Sequence, residues 1–346
     1  MSISRPIAGQ VTSAFAWLPG YDRQLDLPGV LEKWPHLPYV RESGRSAECA
    51  SAYLQDLRNL TGPAGGPLVL GTVEAGGGIW LTGLKEQKWD SEFFGFEIGA
   101  IHPLVSPETT VIEDSCVFAG SDLIGACVRL ARASGLKQLS ATTDSSDTLS
   151  QLALENNGFR LRDSLVYFEL SLEQFALAEL DPCVHAMTES EVEPVAAFSA
   201  ECFGNRRYNI NRFNSDPQFP QQRVYDLYAE SIRNSYLKRI VDHVLVIEQE
   251  GRPIGFSTLC LPSTRERELG VNRGKIPLNA IHPHYHGHGF YGRLVRAALS
   301  WFKEQQVAQV EISTQLSNVA VHRTWQKLGA PLVKSCHRFH LNLATP

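Results

Sequence analysis

The chain has 346 residues, of which 43% are hydrophobic and 20% charged, and its formal net charge is −5. This composition is typical of a globular protein long enough for two or three domains, and it excludes a disordered chain. The slight acidity argues against a nucleic-acid-binding protein, which needs a concentrated basic face.

The seven cysteines are scattered, and none forms a C-x-x-C pair. This pattern predicts neither a disulfide framework nor a structural zinc site, and it favours a reducing compartment. The first 20 residues lack the apolar core of a signal peptide, and no stretch approaches the roughly 18–20 apolar residues of a membrane span. We therefore expect a cytoplasmic protein with no membrane or nucleic-acid partner. The sequence leaves a homodimer open.

The first 83 residues carry weak patterns, which predict a helix over 47–58 and strands over 68–73 and 79–84. Three prolines within residues 24–39 predict a loop packed on another segment. Further along, alternation predicts a strand over 96–102, and apolar spacing predicts a helix over 122–133 that ends at Gly135. A strand, a helix and a strand are predicted next, over 136–142, 149–156 and 165–172.

The last third of the chain has the same order of elements. A helix over 293–304 is followed by a strand over 308–314, a helix over 319–327 and a strand over 336–343. Residues 136–172 align with 307–343 at a constant offset of 171 without a gap, and nine of these 37 positions are identical. The sequence therefore predicts two related α/β halves.

One strand–loop–helix segment carries the chemistry. A strand over 276–281 leads into a loop over 286–292 that contains Gly287, Gly289 and Gly292, and a helix follows. Backbone N–H groups of such a loop and of the first helical turn form an anion-binding cradle, which glycines leave open. The motif alone is also compatible with a plain strand–helix connection. A predicted hairpin over 243–261 and a predicted strand with a polar turn over 310–318 favour the functional interpretation.

Taken together, these elements resemble the GNAT superfamily of N-acetyltransferases over residues 183–346. A closer likeness, over about residues 84–346, is to members that acetylate a nucleotide-linked 4-amino-4,6-dideoxy sugar. The residues that carry it are Trp89–Gly95 (WDSEFFG), 314–318 (TQLSN) and the GNAT-like first half. The resemblance implies an α/β fold with a mixed sheet, in which 1–83 is an N-terminal extension, 84–178 a degenerate GNAT-like half and 179–346 the catalytic domain.

The resemblance implies transfer of an acetyl group from acetyl-CoA to a primary amine by direct attack. The expected acceptor is an amino sugar or a nucleotide amino sugar. An amino acid, a peptide or an antibiotic amine remains an alternative acceptor, and a non-catalytic CoA sensor is an alternative function.

The expected donor contacts come from the strand, the loop and the helix after the next strand. They are Asn279, Ala280, Ile281, His286, Gly287, His288, Gly289, Phe290, Tyr291, Gly292, Asn318 and Trp325. His286 stands where the family usually has Arg or Gln. Tyr291 stands at the last position of the motif, where the family has a small residue, and Gly292 comes one residue later. Trp325 stands where the family usually has a tyrosine that protonates the leaving thiolate, and an indole N–H cannot serve as that acid.

Proton transfer therefore needs other candidates. Tyr291 and Tyr208 are candidate acids, while His282, His284 and His322 are candidate bases because an ordinary histidine titrates near neutral pH. The histidines at 282, 284, 286 and 288 alternate as strand ligands of a metal would,. Pro283 and Gly287 interrupt that strand, and no carboxylate or thiol lies close in sequence, so we expect no metal.

Acceptor binding is assigned to Arg206, Arg207, Tyr208 and Arg212, which could pair with phosphates or stack on a ring. The alternative for this segment is a solvated polar loop. Trp89, Phe93 and Phe94 are interpreted as a hydrophobic plug between the halves, with ligand contact as the alternative. The first half has no glycine-rich loop, so it is expected to shape the acceptor cleft rather than bind CoA.

Overall fold

The computed structural model describes residues 16–18, 26–60, 68–109, 111–176, 181–237 and 240–343. Predictions on the first fifteen residues lie outside this part of the chain. The first half contains β1 (Ala16–Trp17), α1 (Leu27–Glu32), α2 (Val40–Ser43), α3 (Ser46–Asn59), β2 (Leu68–Ala75), β3 (Gly78–Glu86), α4 (Lys88–Phe94), β4 (Ile98–Val105), α5 (Asp114–Ala133), β5 (Gln138–Asp144), α6 (Thr148–Asn156) and β6 (Arg160–Ser171).

The second half repeats this order with small additions. It contains β7 (Val184–Ala186), a 3₁₀ turn (Glu189–Glu191), α7 (Val192–Gly204), α8 (Gln221–Leu237), β8 (His243–Gln249), β9 (Arg252–Leu259), α9 (Thr264–Glu268), β10 (Arg273–Ile276), β11 (Asn279–Ile281), a 3₁₀ turn (Pro283–Tyr285), α10 (Phe290–Glu304), β12 (Gln309–Gln315), α11 (Val319–Lys327) and β13 (Leu332–Asn342). None of the described helices is long and apolar enough to cross a membrane.

The described strands form a large mixed sheet and a small antiparallel sheet. Nine strands form one sheet in the order β1-β2-β3-β4-β5-β13-β6-β12-β10, and four form a second in the order β11-β9-β8-β7. The strand pairs β4–β5 and β10–β12 are parallel, whereas most other pairs are antiparallel. The predicted α/β fold with a mixed sheet is confirmed.

The internal repeat is also confirmed, because its elements coincide at the predicted offset. β5 spans 138–144 and β12 spans 309–315, while α6 spans 148–156 and α11 spans 319–327, so both pairs are 171 residues apart at each end. Both short helices are followed by a glycine at positive φ, 81° at Gly158 and 82° at Gly329. Glycine adopts this left-handed conformation without steric cost, which explains why both halves keep it.

The last strands of the two halves are exchanged. β6 of the first half pairs with β12 of the second, and β13 of the second half pairs with β5 of the first. The two exchanged strands also pair with each other, and Leu165 lies opposite Cys336. Because these two residues are equivalent in the repeat, a pseudo-twofold axis passes between them. The exchange joins strands of both halves in the nine-stranded sheet.

The described part of the N-terminal segment is integrated into the first half. β3 spans 78–86 and therefore crosses the predicted boundary between residues 83 and 84. Trp80 on this strand is fully buried in the first-half core, and its indole N–H donates to the Cys116 carbonyl at 3.1 Å. The boundary remains a prediction, but the hairpin β2–β3 shares the sheet of the first half.

The segment before β2 also reaches the second half. Arg41 Nη2 lies 3.0 Å from Glu169 Oε2 on β6, and Arg273 Nη1 on β10 lies 2.5 Å from Glu42 Oε1. The loop predicted over 24–39 instead contains α1, whose Leu31 is fully buried. α5 begins at Asp114 rather than at residue 122, since its first two turns lack the expected apolar spacing but still bury Cys116 and Val117.

Aromatic residues of α4 fill the junction between the halves. Phe94 is 4% exposed and packs with Phe219, Val224 and Leu227 of the second half. The predicted plug is therefore confirmed for Phe94. Trp89 is 54% exposed and stacks on Phe93 at 5.1 Å, so it lies at the rim of the junction.

Candidate functional site

The second half opens beside a divided strand. Sequence analysis predicts one strand over 276–281, but the structure has β10 and β11 separated by Pro277 and Leu278. β10 pairs with β12 in the large sheet, and among the described strands β11 pairs with β9 alone, in the small sheet. Proline cannot donate to a strand ladder, which explains why the strand breaks there. A gap therefore separates β11 from the end of β12.

The free edge of β11 faces this gap. Leu278 O accepts from Thr258 N at 2.8 Å, and His282 N donates to Ile254 O at 2.7 Å, both toward β9. In an antiparallel ladder alternate residues direct their backbone groups to opposite sides. Asn279 and Ile281 therefore direct theirs toward the gap. An extended ligand could pair with this edge as an added strand.

The loop after β11 leads to a set of unpaired amides at the start of α10. Within the described residues, no backbone acceptor is recorded for the N–H groups of residues 287–292. Gly287 and Gly289 have φ values of 84° and 81°, which strongly favour glycine,. A Cβ built at Gly287, Gly289 or Gly292 meets no atom within 4 Å. The junction is therefore open and rich in donors, as an anion site at a helix N-terminus requires.

Tyr291 connects the helix start to the divided strand. Its hydroxyl accepts the Trp325 Nε1–H at 3.2 Å and donates toward Asn279 Oδ1 at 3.4 Å. Burial raises the pKa of Tyr291 to about 12, against smaller opposing effects of these two hydrogen bonds. Tyr291 is therefore protonated at neutral pH. Trp325 itself is fully buried in the second-half core, so it contacts this site through Tyr291.

The loop histidines are held in different ways. His286 Nε2 donates to Ile281 O at 2.7 Å, which covers one backbone acceptor of the free edge. His282 Nε2 lies 3.8 Å from Glu201 Oε2, and burial lowers the pKa of His282 despite this carboxylate. His284 and His288 are exposed. The four alternating histidines therefore do not share one common partner.

His322 lies near the end of β12. Its Nε2 is 3.1 Å from the Gln315 carbonyl, which can only accept, so Nε2 carries the proton,. Nδ1 then keeps its lone pair and can accept a proton. The Gln315 side chain in turn accepts from Asn209 Nδ2 at 3.0 Å, which brings the α7–α8 loop to the end of β12. Asn318 donates through Nδ2 to Thr314 Oγ1 at 3.1 Å.

The predicted acceptor residues do not form one group. Arg206, Arg207 and Tyr208 are exposed on the α7–α8 loop next to Asn209. Arg212, on the same loop, instead lines a cavity of the first half. The sequence alone could not separate Arg212 from Arg206 and Arg207, because all three arginines lie in the same polar segment.

Two features of the site were not predicted. Arg293 in the first turn of α10 forms a two-pronged ion pair with Asp181, at 2.6 and 2.7 Å. The carboxylate offsets the unfavourable position of a cation at a helix N-terminus. Separately, His185, Glu191 and Glu248 place ligand atoms within 4.8 Å of one another. Glu191 is already bound to Thr188 in a capping box and to His185, which accounts for the cluster without an ion.

Known proteins share parts of this sequence and fold. The divided strand, the open helix start and the parallel β10–β12 pair all lie within the region that the comparisons cover. Residues 207–330 match the model of a family described as the acetyltransferase (GNAT) family. A search of curated proteins gave no match.

Solved structures support the fold over both halves. A GCN5-related N-acetyltransferase from Sphaerobacter thermophilus has a TM-score of 0.55 and 13% identity, with 92% of this chain and 93% of that chain covered. A conserved protein of unknown function from Staphylococcus epidermidis has a TM-score of 0.51 and 9% identity, with 75% and 90% covered. A GCN5-related glucosamine N-acetyltransferase region of a fungal multi-domain β-N-acetylglucosaminidase has a TM-score of 0.50 and 15% identity, with 77% and 32% covered. The family match and the fold together support the GNAT acetyltransferase superfamily.

Proposed function

We propose that the second half binds acetyl-CoA and transfers its acetyl group to a primary amine. The observation that carries this proposal is the run of unpaired amides over residues 287–292 beside the free edge of β11. The amides suit a diphosphate, and the edge suits the extended amide-containing arm of CoA.

The reaction is direct attack of the amine nitrogen on the thioester carbonyl. The C–N bond forms, the C–S bond breaks, the nitrogen loses a proton and the thiolate gains one. A backbone N–H of Asn279 or Ile281 would polarise the carbonyl. Holding both substrates in one geometry supplies most of the acceleration, up to roughly 7–11 kcal/mol when the reacting atoms are aligned.

Tyr291 is our candidate for the acid that protonates the thiolate. It is protonated at neutral pH, and its hydroxyl lies against Asn279, whose backbone faces the gap. The Trp325 N–H donates to the Tyr291 oxygen, and the phenolic proton is held only by the long 3.4 Å bond to Asn279 Oδ1, from which a bound ligand could take it. Trp325 is then a positioning residue. Tyr208 is a second candidate acid, but its side chain is 38% exposed, and no hydrogen bond like those of Tyr291 is described for its hydroxyl.

His322 is our candidate for the base that deprotonates the amine. The Gln315 carbonyl holds its Nε2 proton, and the Nδ1 lone pair is free to accept. His282 is an alternative, because burial lowers its pKa and keeps it neutral at pH 7. The two differ in position, since His282 lies in the loop after β11 and His322 in the first turns of α11.

For the acceptor we propose an amino sugar, carried on a nucleotide. The resemblance of Trp89–Gly95 and residues 314–318 to dTDP-fucosamine acetyltransferase supports this choice. The fungal structure described as a glucosamine N-acetyltransferase region is compatible with an amino-sugar acceptor. Arg206, Arg207 and Tyr208 are exposed beside Asn209 and the end of β12, where they could bind the nucleotide.

The test separates binding from turnover. Acetyl-CoA should raise the melting temperature of the protein, and free-thiol release should appear with one class in a panel of amino sugars, amino acids and peptides. Thermal stabilisation without thiol release for any amine would instead favour a CoA sensor. No stabilisation and no heat in calorimetry with acetyl-CoA would refute the donor site.

A further inference from the structure

A second cavity lies in the first half, where β4 and β5 separate. Its volume is about 310 Å³. The parallel pairing of the two strands ends at Ile101 opposite Ala141, as the pairing of β10 with β12 ends at Ile276 opposite Ile312. The cavity is therefore the pseudo-symmetric counterpart of the gap in the second half.

Three parts of the chain enclose this cavity. Trp34 and Tyr53 come from the N-terminal segment, with ring centroids 5.8 Å apart. Thr143 comes from β5 of the first half. Arg212 comes from the α7–α8 loop and Lys334 from β13, both of the second half. The site exists only in the assembled fold.

The carboxylates that line the cavity already have partners. Asp144 Oδ1 accepts from the backbone and hydroxyl of Ser146 at 3.0 and 2.7 Å. Asp147 Oδ1 accepts from the Ser106 hydroxyl at 2.8 Å and from the Ser150 backbone at 3.0 Å, which caps α6. One oxygen of each carboxylate is therefore occupied, and Asp144 Oδ2 lies 3.7 Å from His36 Nδ1.

The hydrogen-bond donors are not satisfied in the same way. Among the described residues, no carboxylate lies within salt-bridge distance of the Arg212 guanidinium, and its buried Nε has no hydrogen-bond partner. Thr143 is only 4% exposed, and its hydroxyl also has no partner. The buried indole N–H of Trp34 has none either. Buried donors normally have partners, so their accumulation here indicates a missing acceptor.

The electrostatics agree with this geometry. Burial, and the positive charge of Arg338 beside it, lower the pKa of Arg212 to about 10. The guanidinium is still charged at neutral pH, and its central carbon lies 4.3 Å from the centroid of the Phe213 ring. The carboxylates of Asp90 and Asp163 offset part of the cost of burying this charge from beyond ion-pair distance, and a bound anion in direct contact would relieve the remainder.

We propose that this first-half cavity binds a small phosphate-bearing anion, held by Arg212, Lys334 and Thr143. At about 30 Å³ per water the volume corresponds to roughly ten waters, enough for a diphosphate or a small phosphate ester. Arginine matches phosphate geometry through two parallel hydrogen bonds. This site does not depend on the proposed acetyl transfer.

The cavity is connected to the candidate active site by one loop. Arg212 and Asn209 both lie on the α7–α8 loop, and Asn209 bonds Gln315 at the end of β12. An anion that holds Arg212 should therefore stabilise the loop that borders the second-half gap.

Calorimetry with pyrophosphate at matched ionic strength tests the proposal. The titration uses Gly292→Glu, in which the amide-rich start of α10 is blocked, so that binding there does not contribute. We expect one site, weakened about 10- to 100-fold by adding Arg212→Gln and several-fold by adding Thr143→Val. Arg129→Gln, an exposed arginine on α5 outside the cavity, should leave the affinity unchanged.

Two outcomes would overturn the proposal. One is the absence of pyrophosphate binding in the Gly292→Glu protein, and the other is equal affinity with Arg212→Gln. If Arg212→Gln does not fold, Lys334→Gln replaces it, because Lys334 is exposed and its loss should not unfold the chain. Unchanged affinity in that variant would also refute the site.

Discussion

Replacing Gly292 with glutamate would test the donor site directly. Gly292 is the third residue of α10, its φ is not left-handed, and a built Cβ there meets no atom within 4 Å. A glutamate side chain should therefore fit without distorting the helix. Its carboxylate would stand over the amides of residues 287–292, where we expect the diphosphate of CoA.

The expected loss follows from charge repulsion. A carboxylate about 6 Å from one phosphate charge costs about 3 kcal/mol at an effective dielectric constant of about 20. This corresponds to an increase of at least about 100-fold in the Kd for acetyl-CoA. A negative charge near a helix N-terminus should slightly stabilise the unliganded protein, by about 0.3–1 kcal/mol.

Gly292→Gln is the matched control, because it has the same shape without the charge. Calorimetry with acetyl-CoA should show a far larger loss for glutamate than for glutamine, and the difference should shrink as salt is added. Thermal unfolding without ligand should show no loss of stability in either variant. Equal affinities for the two variants, or wild-type affinity for glutamate, would refute the assignment of the diphosphate to this junction.

Three further predictions concern the acid, a buried histidine and a buried ion cluster. Tyr291→Phe should lower kcat by about 100-fold or more while thermal stabilisation by acetyl-CoA persists; full activity would exclude Tyr291 as the acid. Burial, aided by Lys85, lowers the pKa of His102 to about 4. The contribution of neutral His102 to the free energy of unfolding is therefore complete above about pH 6.5 and is lost as the pH falls toward 4, because His102 is protonated at a higher pH in the unfolded chain than in the folded one. Urea unfolding should show that wild type loses about 1–2 kcal/mol more than His102→Gln between pH 7 and 4.5, a value discounted for partial exposure; parallel curves would contradict it. Arg273 Nη1 lies 3.2 Å from Glu311 Oε2 and also contacts Glu42 and Glu169, while Nη2 lies 3.6 Å from Glu266 Oε1. Arg273→Met should therefore cost about 3–5 kcal/mol in chemical denaturation, and a loss below about 1 kcal/mol would show that these charges are effectively solvated.

Local patterns were sufficient for many elements. The predicted helix over 319–327 coincides with α11, and the predicted end of the helix over 293–304 coincides with the end of α10. Helical apolar spacing and a terminal glycine act within one or two turns, so they can be read from neighbouring residues. The repeat offset of 171 followed from the same local signals in both halves.

The position of the glycine-rich loop was also predictable, because its amides and its glycines are consecutive. The role of its neighbours was not. Sequence spacing placed Trp325 at the donor, but tertiary packing buries it and leaves its N–H on Tyr291. His286 was expected as a donor contact, and in the structure its side chain bonds the Ile281 carbonyl.

By itself, the sequence determined two related α/β halves, a strand-to-helix junction rich in glycine and the ends of several helices. Only the tertiary structure decided that the last strands are exchanged and that Arg212 leaves its neighbours for the first-half cavity. The physical reason is distance along the chain. Periodicity and turn residues express local preferences, whereas strand partners and buried charges depend on contacts between residues more than a hundred positions apart.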